Sequence, residues 1–226
     1  MNQQAERLYL ILTALFIAAL VTGNLIFQKF ISWNPLGIYK FELSVGILPY
    51  PITFLVTDII SEIFGRKRAN RVVLAGLAAS VFALLIVFVA DYMAATTWSP
   101  IDNETFNQVF GLSILAVGAS MTAYLIAQFI DIRLFHFWKK LTKGKHLWLR
   151  NNASTTLSQL MDTGTVLLLL CSFGAIVWDK FWVLLINGYL FKVIVALLDT
   201  PIIYGAVYLI RRKFKLADAE EISLQN

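Results

Sequence analysis

The stretch Val72–Ala90, VVLAGLAASVFALLIVFVA, contains nineteen residues and no charged side chain. A helix rises about 1.5 Å per residue, so about 20 apolar residues cross the ~30 Å hydrocarbon core of a bilayer. The whole chain shares this character: 58% of its 226 residues are hydrophobic, 15% are charged, and the mean hydropathy is +0.71. Soluble domains carry about 25% charged residues. The composition therefore predicts an integral membrane protein and leaves no segment for a large soluble domain.

Working outward from this stretch, further apolar segments of similar length can be drawn. The predicted spans cover residues 8–30, 45–65, 72–94, 111–132, 154–177 and 182–210. The first is too long for the apolar region of a cleaved signal peptide, so we expect it to be retained. The predicted fold is all-α, with one six-helix transmembrane domain over residues 1–216 and a short polar tail over residues 217–226.

Positive charge is concentrated on alternate connections between these spans. Arg7, Gly65–Arg71, Arg133–Arg150 and Arg211–Lys215 together hold fifteen of the nineteen Lys and Arg residues. Because cytoplasmic loops carry an excess of Lys and Arg, we expect both termini in the cytoplasm. The same rule accounts for the net charge of +5, so the charge is not evidence for nucleic-acid binding.

Six spans divide into two halves of three with opposite orientation, which permits an inverted 3+3 repeat of the kind common in transporters. Thr57–Glu62 (TDIISE) in the second span and Ser158–Thr163 (SQLMDT) in the fifth show a weak similarity of the kind that such a repeat would leave. We keep the repeat as a hypothesis.

Charged residues inside the predicted spans are the strongest functional signal. A charge at the bilayer centre costs at least ~2.5–3.5 kcal/mol on insertion scales, so such residues usually face an interior and serve a function. These residues are Asp58, Glu62, Asp131, Asp162, Lys192 and Asp199.

Polar residues accompany these charges at helical spacing, so that each span has one polar face. The faces comprise Asn24 and Gln28; Asp58 and Glu62 with Phe54 one turn before; Tyr124, Gln128 and Asp131; Thr155, Ser158, Gln159 and Asp162; and Lys192 and Asp199. The pattern indicates a pathway for a small solute.

Structural alternatives exist for several of these residues. Glu62 suits an ion pair with Arg66 at a helix end, Asp131 suits an interfacial anchor, and Asn24 and Gln28 suit ordinary interhelical hydrogen bonds. Asp199 precedes Thr200-Pro201, where a proline frees a backbone carbonyl and bends or breaks a helix. Asp162 and Lys192 lie near mid-membrane without a comparable explanation.

Motifs for catalysis, ATP binding and metal binding do not occur in the sequence. We therefore predict no enzyme activity, no cofactor and no metal, and we expect the lone Cys171 to be a small buried hydrophobe. Active transport would need an ion gradient or a separate energising subunit.

The chain resembles the queuosine precursor transporters, also called the vitamin uptake transporter family. The matching segments are Gly23–Gln28 (GNLIFQ), Pro51–Gly65 (PITFLVTDIISEIFG), Ala123–Phe135 (AYLIAQFIDIRLF), Asn152–Thr163 (NASTTLSQLMDT) and Leu190–Val193 (LFKV) with Pro201. The resemblance implies import of 7-cyano- or 7-aminomethyl-7-deazaguanine, or queuine, across the inner membrane of a bacterium.

Such a ligand assigns roles to the polar residues. A deazaguanine has two adjacent N–H donors that one carboxylate accepts together, and Asp162 is the first choice for this role. Candidate donors to the ligand are Asn24, Gln128, Gln159 and Lys192, and candidate stacking partners are Phe54 and Tyr124. A cationic aminomethyl group would favour a second acid, Asp58 or Asp131, while Lys192 is also suited to neutralise an acid left without ligand. Thr155 and Ser158 complete the predicted site, with Glu62 and Asp199 as proton-coupling or structural residues.

Other interpretations are a substrate-binding subunit of an ATP-driven vitamin importer, which would also be a small six-span protein, and a membrane enzyme acting on lipid or isoprenoid. The sequence lacks the metal or nucleophile constellation that such an enzyme needs, and a purely structural assembly factor would leave the buried acids unexplained. The sequence also permits a homodimer.

Overall fold

The structure is a computed structural model that describes residues 2–27, 29–37, 39–111, 114–143, 145–174, 176–217 and 220–222. Helices dominate these residues. In chain order they are α1 (Asn2–Ile26), α2 (Tyr50–Ile63), α3 (Arg66–Tyr92), the single turn α4 (Asn103–Phe106), α5 (Ile114–Leu141), α6 (Leu147–Ser172) and α7 (Phe181–Phe214). Short 3-10 turns precede α2 (Val45–Ile47) and α7 (Trp178–Lys180), and a π turn (Asn107–Gly111) follows α4.

Four helical segments of the described chain are long and apolar enough to cross a bilayer. They are Gln3–Ile26, Val45–Ile63, Arg66–Tyr92 and Trp178–Phe214. Helices α5 and α6 are also long, with 28 and 26 residues, but both extend into charged or polar segments. The all-α membrane fold is therefore confirmed in its coarse form, while six spans and an inverted repeat stay predictions.

A β-hairpin interrupts this helical fold, and we did not predict it. Strands β1 (Phe30–Trp33) and β2 (Phe41–Ser44) pair antiparallel, with Ile31 opposite Leu43 and Ser32 opposite Glu42. Phe41 and Leu43 are buried together with Phe191 of α7. The hairpin is thus attached to the N-terminal half of α7 by an apolar contact, and α1 ends at Ile26, before the predicted end of the first span.

Helix α2 lies at the centre of the bundle, where it packs against α1, α3, α5 and α7. Ten of its fourteen residues are buried, including Asp58 and Glu62. The outer helices instead expose large apolar side chains, among them Phe82, Leu85, Leu197, Leu198 and Leu209. Exposed apolar helix faces combined with a polar interior fit a protein that is surrounded by lipid.

We use the term basic end for the end of the bundle that carries the α2–α3 turn, the C-terminus of α5 and the C-terminus of α7. There Glu62 pairs with Arg211 at 2.7 Å and with Lys139 at 3.7 Å. The predicted partner Arg66 is not the one that binds it, because Arg66 begins α3 after the turn at Gly65. The hairpin lies at the opposite end, which we call the hairpin end.

Candidate functional site

A cavity of about 220 Å³ lies at the hairpin end, between α1, the hairpin, the start of α2, α6 and α7. Its polar lining includes Asn24, Glu42, Ser44, Tyr50, Asp162 and Lys192. Pockets for drug-sized ligands measure ~300–1,000 Å³, so the volume suits a smaller molecule.

An ion pair between α6 and α7 forms the centre of the cavity. Nζ of Lys192 lies 2.6 Å from Oδ2 of Asp162 and 3.0 Å from Oγ1 of Thr163. The hydroxyl of Tyr50 donates a hydrogen bond to the same Oδ2, and the Lys192 ammonium lies 4.1 Å from the centroid of the Tyr50 ring. The acid and the lysine that the sequence singled out are therefore partners.

Close packing of α6 and α7 makes this pair possible. Gly188 precedes Lys192 by one helical turn, and a Cβ atom added at Gly188 would lie 3.3 Å from Cγ2 of Thr163. The missing side chain lets the two backbones approach, so that Lys192 reaches the acid on the neighbouring helix.

Several buried polar atoms near the ion pair lack a hydrogen-bond partner within the described part of the chain. They are Oδ1 of Asp162, Nδ2 of Asn24 and Oε1 of Gln159. Asp162 is only 3% exposed. Leaving a buried polar atom unsatisfied costs about 1–3 kcal/mol, and more for a charged group, so natural structures seldom tolerate it without a reason. A bound ligand with a donor for Asp162 and an acceptor for Asn24 would remove part of this cost.

A small extension of about 20 Å³ adjoins the cavity and shares Tyr50 and Lys192 with it. It is lined by three further predicted site residues, Phe54, Gln159 and Asp199. The rings of Tyr50 and Phe54 lie 5.3 Å apart between centroids, which forms an aromatic wall.

The other predicted polar residues form a second cluster deeper in the bundle. Ser158 donates a hydrogen bond of 2.9 Å to Oδ1 of Asp131, Asp58 is a neighbour of Asp131, and Thr57 contacts Gln128 at 3.4 Å. These residues are buried and do not line the cavity or its extension. The structure therefore separates Asp58, Gln128, Asp131 and Ser158 from the residues around Asp162.

Some predicted residues have other positions or cannot be placed. Glu62 belongs to the basic end, far from the cavity lining. Helix α7 continues through Pro201, so of the two alternatives at this proline, a bend or a break, the helix is not broken there. Gln28 lies outside the described residues, and for Tyr124 and Thr155 only the backbone is described.

Sequence reasoning missed part of the cavity wall. Tyr50 was not singled out, although it lies within the second predicted span, one helical turn before Phe54 and two before Asp58. Glu42 and Ser44 were assigned to an ordinary connection because two four-residue strands give a weak signal. Thr163 directly follows Asp162 in the chain. Its link to the site is a contact with Lys192, which lies on another helix, so the contact is not visible in the sequence.

Comparison with known proteins places the chain in a family. Residues 44–206 match the family model described as "Putative vitamin uptake transporter". The chain is 27% identical over 172 residues to the "Probable queuosine precursor transporter" of Bacillus subtilis, with 75% of this chain and 73% of the relative covered. It is 27% identical over 197 residues to the "Queuosine precursor transporter" of Escherichia coli, with coverage of 84% and 83%. No solved structure matches the chain.

The family match spans most of the described helices, from the end of the hairpin to the second half of α7. It includes Tyr50, Asp162 and Lys192, and it confirms the resemblance drawn from the sequence motifs. The chain therefore belongs to the vitamin uptake transporter family.

Proposed function

We propose that this protein imports queuosine precursors, which are 7-deazaguanine bases, across the inner membrane of a bacterium into the cytoplasm. The observation that carries the proposal is the unpartnered Oδ1 of Asp162 in a cavity of small-molecule size. The names of the curated relatives supply the ligand class.

The chemistry of a deazaguanine suits this arrangement. The ring N–H and the exocyclic amine are adjacent donors, and one of them can bind Oδ1 of Asp162, which has free capacity to accept. Hydrogen bonds to a charged acceptor are roughly twice as strong as neutral ones. Asn24 offers a donor for a ring acceptor, and the ring of Tyr50 offers a stacking surface worth about 1–3 kcal/mol.

Lys192 has a separate role in this proposal. Without ligand it neutralises the Asp162 carboxylate, which would otherwise be a costly isolated charge in the membrane interior. When the base binds, Lys192 keeps its contact with Oδ2 while the ligand takes Oδ1. The ion pair thus holds the acceptor in place before the ligand arrives.

The second cluster, which contains Asp58 and Asp131, is proposed to couple transport to a proton gradient. Asp58 and Asp131 are neighbouring buried carboxyl groups, and two carboxylates that share one site disfavour the ionisation of both, so that one of them favours holding a proton. We propose that this pair takes up and releases the proton that drives import. Purified protein in liposomes tests this: uptake should follow an imposed proton gradient and stop on addition of a protonophore, without any partner subunit.

The ligand site is tested by Asp162→Asn in cells that lack their own synthesis of deazaguanines. Uptake of labelled 7-cyano-7-deazaguanine should fall at least 100-fold, while the amount of protein in the membrane is unchanged. The matched control is Asp179→Asn, an exposed acid in the 3-10 turn before α7. Native uptake by Asp162→Asn would refute the assignment.

A further inference from the structure

The mouth of the cavity carries a carboxylate that the Asp162 site does not use. Side chains alternate between the two faces of a hairpin, and Glu42 is opposite Ser32, so it shares its face with Phe30 and Ser44. Phe30, Glu42 and Ser44 all line the cavity. The other face carries Trp33 and Phe41, which pack against Phe191. The hairpin thus lines the cavity with Phe30, Glu42 and Ser44 from one face and Leu43 from the other, and Glu42 is the charged residue among them.

The charges around the cavity do not balance within the described residues. Its charged lining consists of Asp162, Lys192 and Glu42. The first two neutralise each other at 2.6 Å, whereas Glu42 forms no ion pair in the described part of the chain. The cavity thus has an excess negative charge at its hairpin side.

We propose that Glu42 is a specificity-determining residue that favours ligands with a cationic amine at the end of the molecule facing the hairpin. This inference rests on the proposed function and refines it. The acids expected to bind such a group, Asp58 and Asp131, do not line the cavity, and Glu42 is the acid that the structure places there. Because Glu42 is exposed, its attraction is moderate and weakens as salt increases.

The test compares uptake of 7-aminomethyl-7-deazaguanine, which is cationic, with uptake of the neutral 7-cyano compound. Glu42→Gln should shift the KM ratio of the two compounds by about two- to fivefold against the cationic one, as expected for loss of ~0.4–1 kcal/mol. Glu42→Lys should shift the ratio further, and high salt should reduce the preference of the native protein. Glu104→Gln, an exposed acid outside the cavity, is the matched control.

The outcomes separate this inference from the proposed function. If the native protein transports neither compound, the proposed function fails. If the native protein transports both and neither Glu42 variant changes the ratio, the role of Glu42 is refuted while the function stands.

A second inference comes from the basic end, where the C-terminal residues fold back onto the bundle. Lys139 contacts both Glu62, at 3.7 Å, and Glu221, at 2.9 Å, and Arg211 contacts Glu62 at 2.7 Å. We call Glu62, Lys139, Arg211 and Glu221 the basic-end clasp. It ties α2, α5, α7 and the C-terminal residues together.

Backbone contacts reinforce the clasp. The amide of Ile222 donates a hydrogen bond of 2.7 Å to the carbonyl of Ile63, and the Ile222 side chain is only 8% exposed. Gly65 has φ of 81°, and the Glu221 carboxylate occupies the space that a Cβ atom at Gly65 would need. The C-terminal residues therefore fit a specific recess over the α2–α3 turn.

We infer that the basic-end clasp is the inner gate of transport. The cavity lies at the hairpin end, whereas the basic end is packed with buried residues such as Ile63, Phe135 and Phe214. A ligand that enters at the hairpin end must leave past these residues, so α2, α5 and α7 have to separate there. The clasp contains the ion pairs that hold these three helices together.

Reversible crosslinking tests the gate. Lys139→Cys with Glu221→Cys, in a Cys171→Ser background, is treated in proteoliposomes with a bifunctional reagent that joins the two thiols through disulfide bonds. The crosslinked protein should still bind 7-cyano-7-deazaguanine but lose transport, and reduction should restore it. Transport by the crosslinked protein would refute the gate.

Thiol labelling decides the matter if the crosslinking variant is inactive even when reduced. Ile222→Cys, in the same background, should react with an impermeant maleimide from the basic end several-fold faster during transport than without ligand. An equal rate in both conditions would show that this end does not open.

Discussion

Lys192 and Asp162 form an ion pair that uses only one of the two carboxylate oxygens. Nζ of Lys192 and the Tyr50 hydroxyl both bind Oδ2, and Oδ1 has no partner within the described residues. The acid is therefore neutralised yet still able to accept hydrogen bonds, which is the state that a binding site for a neutral donor requires.

Replacing Lys192 by Met removes the charge and keeps most of the volume of the side chain. Because Asp162 would remain as a buried charge without its partner, we expect the free energy of unfolding to fall by about 3–5 kcal/mol. Thermal unfolding in detergent measures this loss. The double variant Lys192→Met with Asp162→Asn should recover most of the stability but none of the uptake. Equal stability of the single and double variants would contradict the argument.

Tyr50 should show separable contributions from its hydroxyl and its ring. Tyr50→Phe loses one hydrogen bond to a carboxylate, worth about 1.5–3 kcal/mol, but keeps the stacking surface. Tyr50→Leu loses both. We expect ligand affinity, measured by calorimetry on purified protein, to fall in the order native, Tyr50→Phe, Tyr50→Leu. A weaker effect of Tyr50→Leu than of Tyr50→Phe would exclude stacking on this ring.

A substitution in the second cluster, which contains Asp131, should impair the coupling of uptake to protons but leave ligand binding intact. Asp131 accepts from Ser158 and does not line the cavity, so Asp131→Asn should leave the Kd for 7-cyano-7-deazaguanine within about twofold. Uptake driven by a proton gradient should fall by at least tenfold. Asp162→Asn is the opposite control, since it should abolish binding. A large loss of affinity in Asp131→Asn would place this acid in the ligand site.

Gly46 should resist even a methyl group. A Cβ atom there would lie 2.7 Å from Cβ and 2.9 Å from Cα of Phe27, and 2.8 Å from the carbonyl oxygen of Gly23. Because two of these contacts are with backbone atoms, Gly46→Ala should cost about 1–3 kcal/mol of stability. The matched control is Gly205→Ala in α7, where nothing lies within 4 Å of the added atom. Thermal unfolding of both variants measures the difference, and equal losses would refute the close approach.

Long apolar segments could be predicted from the sequence because each is decided by its own residues. The stretch Val72–Ala90 lies within α3, and the predicted span 182–210 lies within α7. Asp162 and Lys192 could also be singled out from the sequence. Each is a charged residue within an apolar segment, and no neighbouring residue in the chain gives it a structural explanation.

Pairing between elements could not be predicted in the same way. Helical spacing places Asp58 and Asp131 on polar faces but does not say which neighbouring helix each face meets. Glu62 has a basic residue four positions away, yet its partner Arg211 is 149 residues distant. The hairpin was missed for a related reason: its strands are short, and it is stabilised by Phe191 of a helix far along the chain.

The attachment of the hairpin provides an optical reporter within the protein. Trp33 contacts Phe191 with 5.7 Å between ring centroids, and Phe191 directly precedes Lys192. Any displacement of Lys192 as the cavity fills will be transmitted through one peptide unit to the surroundings of an indole ring. The emission of Trp33 should therefore change on ligand binding, so that cavity occupancy can be followed in real time without an added dye.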